Sequence, residues 1–126
     1  MRRTHLLAPL ILLASFAATA DNSLEREAMN AVTQGLRDPD SANFRNVETV
    51  TYTTPTGSRV PYVCGEVNAK NSFGGYVGFR RFYVANVGGE LRADIEPAER
   101  EDRSVFSMMY DTFCLGIGMA VTPIRE

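Results

Sequence analysis

The fold is decided by the stretch YVCGEVNAKNSFGGYVGFRRFYVANV, residues 62–87. Its two ends, 62–70 and 76–87, are rich in the β-branched and aromatic residues that favour strands. The glycine-rich run 71–75 separates them. Because consecutive strands joined by a short turn pair antiparallel, this stretch predicts a hairpin.

Two further strands extend the hairpin on either side. Residues 44–52 form another β-branched and aromatic run, and the turn Pro55-Thr56-Gly57-Ser58 connects it to the first strand of the hairpin. On the other side, Gly88-Gly89 suits a two-residue turn leading into a short strand at 90–95. The pattern predicts an antiparallel meander of about four strands.

A helix is predicted on the N-terminal side of the meander, over residues 22–36. Its apolar residues recur at helical spacing, and Asn22 with Glu25 has the spacing of a capping box. The turn 38–41 follows, since proline disfavours helix in the preceding residue.

A second helix is predicted on the C-terminal side, over residues 98–119. Pro97 suits its first position, and acidic residues at 99, 101 and 102 suit its positive end. An apolar stripe typical of a core-facing helix surface follows: Phe106, Met109, Tyr110, Phe113 and Ile117. We therefore expect an α+β fold in which one helix precedes the four strands along the chain and the other follows them.

The first twenty residues have the three-part layout of a bacterial signal peptide. Arg2 and Arg3 precede an apolar core over 6–16, and Ala18-Thr19-Ala20 suits a cleavage site. The apolar run is shorter than the ~20 residues of a membrane-spanning helix, and no cysteine for a lipid anchor follows it. We expect cleavage after Ala20, one domain over 21–126, and a periplasmic or secreted protein without a later membrane span.

The composition of the predicted mature chain excludes several functional classes. Two of the 13 basic residues lie in the signal peptide, so 11 basic face 15 acidic side chains, a net charge of −4. This acidic balance disfavours nucleic acid as a partner. The single histidine, His5, is lost with the signal, which removes His-dependent triads and ordinary zinc sites. The sequence suggests no catalytic residue, metal site or cofactor.

The two cysteines, Cys64 and Cys114, are expected to form one disulfide in an oxidising compartment. A reactive thiol is the alternative, but no histidine of the mature chain could activate it. The disulfide sets a constraint on the sheet. Val63 and Val67 point to one face of the strand, whereas Cys64 points to the other, together with Glu66 and polar residues 68 and 70. A helix that carries Cys114 must therefore pack on the face that also carries these polar side chains. Either a bulge at Gly65 resets this alternation, or the second helix covers only the Cys64 end of the strand.

Polar and aromatic side chains concentrate around the central turn, where they could contact a polar ligand or a partner's backbone. The candidate interaction residues are Glu66, Asn68, Lys70, Asn71, Tyr76 and Arg80. The alternative is a solvated hairpin whose side chains satisfy turn backbone groups.

Two blocks of this sequence resemble a family of small exported bacterial proteins of uncharacterised function. The first is Asp-Pro-x-Ser-Ala-x-Phe at 38–44, and the second is Cys-Gly-x-Val-Asn-x-Lys-Asn-x-x-Gly-Gly-Tyr-x-Gly-Phe at 64–79. The resemblance implies a common fold and draws attention to Asn68, Lys70, Asn71 and Tyr76. It implies no particular activity.

Three functions fit these features. The sequence favours a non-enzymatic envelope protein, a binding or inhibitor-like module that contacts a protein partner or a polar ligand. The first alternative is a small cell-wall glycan hydrolase, which would need two carboxylates, one with a raised pKa. Glu66 could be one, with Glu48, Glu90 or Asp94 as the second. The other alternative is a structural subunit of an envelope assembly.

Overall fold

The computed structural model describes residues 20–117 as a four-stranded antiparallel sheet with a helix on each face. In chain order the elements are α1 (Ala20–Gln34), a 3₁₀ turn (Pro39–Ser41), β1 (Asn43–Thr53), β2 (Arg59–Asn68), β3 (Arg80–Val87), β4 (Glu90–Ile95) and α2 (Arg103–Cys114). The strand order β1-β2-β3-β4 confirms the predicted meander, the two helices and the α+β class. Except for Ala20, the predicted signal peptide lies outside the described residues.

The main apolar core lies between α1 and one face of the sheet. Its fully buried members come from α1 and the two central strands: Ala28, Val32, Val63, Val67, Phe82 and Val84. Partly buried residues on α1, β1 and β4 surround them. The apolar face predicted for the first helix therefore packs on the residues that alternate toward it along β2 and β3.

The opposite face carries an aromatic cluster and the disulfide, both in contact with α2. Phe113 stacks on Tyr62 with the ring centroids 4.4 Å apart, and Phe106 stacks on Tyr83 at 5.4 Å. Cys64 and Cys114 are bonded, which confirms the predicted pairing. A second core, smaller and mostly aromatic, thus holds α2 to the sheet.

The constraint set by Cys64 is met by the second of the two alternatives. β2 pairs with β3 in unbroken register from Tyr62 to Val67, so no bulge interrupts that pairing at Gly65. The register shift lies in β1, between Arg45 and Glu48, where Asn46 has a φ of 54°. α2 covers the Cys64 end, and Glu66 lies beside Arg45.

The predicted capping of α1 is wrong. The helix already includes Ala20 and Asp21, so Asn22 is a residue of the helix and not its N-cap. The Glu25 carboxylate accepts a hydrogen bond from the Thr49 hydroxyl, at 3.4 Å, and links α1 to β1.

α2 begins at Arg103, five residues later than predicted, and Pro97 is not its first residue. The Arg103 guanidinium donates hydrogen bonds to the carbonyls of Pro97 and Ala98, at 3.0 and 2.7 Å. These bonds hold the preceding segment outside the helix. Ile117 follows the end of α2 and is 67% exposed, so its predicted place in the core stripe is also wrong. The last two residues of the predicted helix, 118 and 119, lie outside the described residues.

The strands around the central turn are shorter than predicted. β2 ends at Asn68, and β3 begins at Arg80 instead of Tyr76. Only an isolated bridge between Lys70 and Tyr76 continues the pairing. The Gly88-Gly89 turn is confirmed, with φ of 62° and 87° at its two residues. No helix within residues 20–117 is long and apolar enough to cross a membrane.

Candidate functional site

The connection between β2 and β3, residues 68–80, forms a structured loop that we call the connecting hairpin. Below the Lys70–Tyr76 bridge, the Asn71 amide donates a hydrogen bond to the Gly75 carbonyl at 2.9 Å. The Gly74 amide in turn donates to the Asn71 carbonyl at 3.1 Å. The tip is therefore closed by its own backbone.

Two asparagine side chains shape the connecting hairpin from inside. Asn71 Oδ1 accepts hydrogen bonds from the amides of Phe73 and Gly75, at 2.9 and 3.1 Å. Asn68 Oδ1 accepts one from the Gly78 amide at 3.1 Å. Both oxygens thus satisfy loop backbone groups, as the structural alternative for these residues required.

The connecting hairpin is fastened to the 3₁₀ turn through Ser41. The Lys70 amide donates to Ser41 Oγ at 2.8 Å, and the Tyr76 hydroxyl donates to the Ser41 carbonyl at 3.0 Å. Ser41 Oγ itself donates to the Asp38 carbonyl at 2.7 Å. Lys70 Nζ lies 5.6 Å from the centre of the Tyr76 ring. The connecting hairpin is therefore held against the proline turn predicted at 38–41.

The outer side of the connecting hairpin is apolar. The Phe73 side chain is 96% exposed, and Val77 and Tyr76 are 57% and 49% exposed. The Phe79 ring is partly covered by the Arg45 guanidinium, 3.8 Å above its centre. A loop with a hydrogen-bonded interior thus presents a phenyl ring to solvent at its tip.

Glu66, a candidate from the sequence, forms an ion pair with Arg45 of the neighbouring strand β1. Its carboxylate accepts hydrogen bonds from Arg45 Nε at 2.7 Å and from Asn46 Nδ2 at 3.0 Å. The hydrogen bond from Arg45 is the main cause that lowers the pKa of Glu66, and Asn46 adds to it. A general acid for glycoside cleavage needs a raised pKa, so this environment is the reverse of the one that the hydrolase hypothesis required.

A cleft of about 620 Å³ opens beside the connecting hairpin, between the end of α1 and the segment that follows β4. We call it the basic cleft because four cationic side chains line it: Arg37, Lys70, Arg80 and Arg103. Glu96 supplies the only carboxylate among its lining residues. The cleft is therefore cationic, although the sequence as a whole is acidic.

One carboxylate offsets the four cations only in part, and Arg81, which does not line the cleft, holds both oxygens of this Glu96 carboxylate. Of the four cations, Arg103 also interacts with the Glu96 charge. Arg81 Nη2 lies 3.0 Å from Glu96 Oε1, and the Arg81 amide and Nε also donate to Oε2. The hydrogen bonds from the Arg81 side chain are the largest cause of the lowered pKa of Glu96. Arg80 and Arg103 instead donate to backbone carbonyls of residues 96–98. Within residues 20–117, the ion pairs are Arg45–Glu66 and Arg81–Glu96, and neither contains a cation of the cleft.

The structure brings half of the predicted site residues to the basic cleft. Lys70, Asn71 and Arg80 line it, whereas Glu66, Asn68 and Tyr76 do not. Sequence reasoning missed Arg37 and Arg103. No sequence signal marks Arg37, because its place in the cleft depends on tertiary contacts, and the misplaced start of α2 concealed Arg103.

Among residues 20–117, no group of three or more histidine, cysteine or acidic side chains is placed to hold a metal ion. Comparison of the chain with protein-family models, with curated proteins and with solved structures finds no match.

Proposed function

We propose that this protein is a non-enzymatic binding module of the bacterial cell envelope that captures a protein partner through the connecting hairpin. In this proposal the N-terminal segment directs export, and the mature domain acts in the periplasm or outside the cell. The observation that carries the proposal is Phe73, a phenyl ring 96% exposed at the tip of an internally bonded loop.

The physical argument concerns the cost of ordering a binding loop. An interface loses free energy when it must immobilise a flexible segment, and a pre-organised loop avoids much of that loss. The bonds from Phe73 and Gly75 to Asn71 Oδ1 fix the loop tip before any partner arrives. Aromatic side chains supply large contact areas and dominate many interfaces. Phe73 is therefore suited to insert into an apolar pocket of the partner, as the reactive loop of an inhibitor does.

The carboxylates support binding over hydrolysis. Both Glu66 and Glu96 have a lowered pKa, because an arginine side chain hydrogen-bonds to each. Neither carboxyl keeps its proton at neutral pH, so neither suits the role of a general acid.

Photo-crosslinking from the loop tip tests the proposal. We expect a benzoylphenylalanine placed at position 73 to give a specific adduct with one envelope protein in living cells. The matched control is the same group at position 105, because Val105 on α2 is also an exposed apolar residue (60%). The adduct should be identified by mass spectrometry and the partner purified.

The affinity for the purified partner then shows whether Phe73 contributes to binding. Phe73→Ala should keep the melting temperature of the parent protein and weaken binding by about tenfold or more, since interface anchors typically cost over 1.4 kcal/mol on truncation. Val105→Ala should leave the affinity unchanged. Equal adducts at both positions, or equal affinities of the two alanine variants, would contradict the proposal.

A further inference from the structure

We infer that the basic cleft binds an acidic peptide segment, supplied by the protein that the connecting hairpin captures. The source of this segment rests on the proposed function, whereas the preference of the cleft for carboxylates can be tested without that partner.

The charge of the cleft identifies an anionic ligand. Four cations line it, and its only carboxylate is held by Arg81, which does not line it. The guanidinium groups of Arg80 and Arg103 donate to backbone carbonyls, and neither belongs to an ion pair of the described residues. Arg103 is also attracted by the charge of Glu96, which Arg81 shares. Because cations of the same sign gathered in one cleft repel each other, an anion bound among them relieves that repulsion.

The size and layout of the cleft favour several carboxylates along a chain over one compact ion. The cations come from three separate parts of the chain: Arg37 follows α1, Lys70 and Arg80 lie ten residues apart in the connecting hairpin, and Arg103 begins α2. A volume of about 620 Å³ falls in the range of pockets that enclose ligands much larger than a phosphate ion. Glutamate or aspartate side chains spaced along a peptide can meet separated cations individually.

The walls of the cleft and its neighbour suit a peptide as well. Leu36, Val77, Phe79 and Pro97 also line it and offer apolar contact to the aliphatic parts of a glutamate-rich segment. Val77 and Phe79 belong to the connecting hairpin, so the cleft is continuous with the proposed protein-binding surface. One partner chain could contact Phe73 at the tip and the cations at the base.

Calorimetric titration with acetylated hexaglutamate at low ionic strength tests this inference. We expect saturable binding that weakens as salt is added, with no binding of hexaserine and weaker binding of inorganic phosphate. Arg37→Gln combined with Lys70→Gln should reduce the affinity for hexaglutamate about tenfold, because two of four attractions are lost. Within residues 20–117, neither the Arg37 nor the Lys70 side chain donates a hydrogen bond that holds the cleft together. The melting temperature of the double variant should therefore stay close to that of the parent.

The matched control combines Arg26→Gln with Arg59→Gln. Both arginines are exposed and lie outside the basic cleft, so the net charge changes equally while the affinity should not change. Equal weakening in both double variants, no binding of hexaglutamate, or tighter binding of phosphate than of hexaglutamate would overturn the inference. If hexaglutamate binds the cleft but no adduct forms at position 73, the cleft stands as an acidic-peptide site and the proposed role of the hairpin fails.

Discussion

At the scale of single residues, Gly65 shows how closely the main core approaches the sheet. It pairs across the sheet with Phe82, whose side chain is fully buried. A Cβ at position 65 would lie 2.9 Å from Phe82 Cζ and 3.1 Å from Val47 Cγ2. The Phe82 ring therefore lies over the glycine, and this position accepts no side chain without displacement of the core.

We expect Gly65→Ala to lower the free energy of unfolding by about 1–3 kcal/mol, because overpacking a filled core forces side chains and backbone to shift. Gly75→Ala is the matched control. A Cβ there would meet only Asn71 Oδ1, at 3.9 Å, so we expect a change within ~0.5 kcal/mol. Urea denaturation of both variants measures the difference. Equal stabilities would show that the Phe82 ring does not restrict position 65.

The predicted site residues illustrate what a sequence conveys at this scale. Of the residues that the pattern of types singled out, Lys70, Asn71 and Arg80 line the basic cleft. The bonds of Asn71 to its own loop follow from turn chemistry, which is the structural alternative for this residue. The pair Arg45–Glu66 could not be foreseen, since it depends on the register of β1 and on the shift at Asn46.

At the scale of elements, Arg81 and Glu96 join three parts of the fold. Arg81 lies on β3, Glu96 follows β4, and Arg81 Nη2 also donates to the Ser107 hydroxyl on α2 at 3.1 Å. The Arg81 guanidinium lies 5.0 Å from the centre of the Tyr110 ring. This ion pair therefore helps to dock α2 on the sheet.

The ion pair makes a pH-dependent contribution to stability. The pKa of Glu96 is lower in the folded protein, chiefly because Arg81 hydrogen-bonds to the carboxylate. Its stabilising effect is therefore complete above the ordinary carboxyl value of 4.5 and is lost as the pH falls through the lowered folded value. We expect Glu96→Gln to be less stable than the parent at pH 7, and the difference to shrink in acid. Thermal melts across the acid range measure it.

The control for this prediction is Glu101→Gln. Glu101 is exposed and lies in the same segment between β4 and α2, so its replacement should change the melting temperature little at either pH. A gap between the parent and Glu96→Gln that stays constant from pH 7 into the acid range would contradict the role assigned to the Arg81–Glu96 pair.

Elements were predictable to the extent that local pattern determines them. The strand predicted at 90–95 has the bounds of β4, because the Gly88-Gly89 turn that marks its start lies directly before it. The start of α2 was misplaced by five residues. Pro97 and the acidic residues after it are typical of a helix start, so they favoured an early one. In the structure the Arg103 side chain donates hydrogen bonds to the carbonyls of residues 97 and 98, and the helix begins at Arg103. Such a contact depends on tertiary packing.

At the scale of the whole molecule, two separate cores share one sheet. The fully buried residues of the core under α1 are aliphatic apart from Phe82, whereas the core under α2 is largely aromatic and includes the disulfide. Local sequence patterns predicted both helices, and the pair of cysteines in an oxidising compartment predicted the bond. The basic cleft was not predicted, since it forms only where three distant parts of the chain converge.

We expect the double variant Cys64→Ala/Cys114→Ala to lose about 4 kcal/mol of unfolding free energy, the chain-entropy value for a bond that spans 50 residues. Denaturant titration of the double variant and of the oxidised parent measures this loss. The reduced parent is the control and should match the double variant. A double variant as stable as the oxidised parent would show that the α2 core holds without the bond.

The position of Cys114 also bears on the order of events during synthesis. Cys64 lies in β2, and Cys114 lies at the end of α2, after β3 and β4. As the chain emerges from N- to C-terminus, every strand of the sheet is available before the second thiol appears. With two cysteines in the sequence, only one intrachain pairing exists. Oxidation therefore joins α2 to a sheet that can already be assembled. Because these two cysteines can pair in one way only, there is no wrong bond between them for an isomerase to correct.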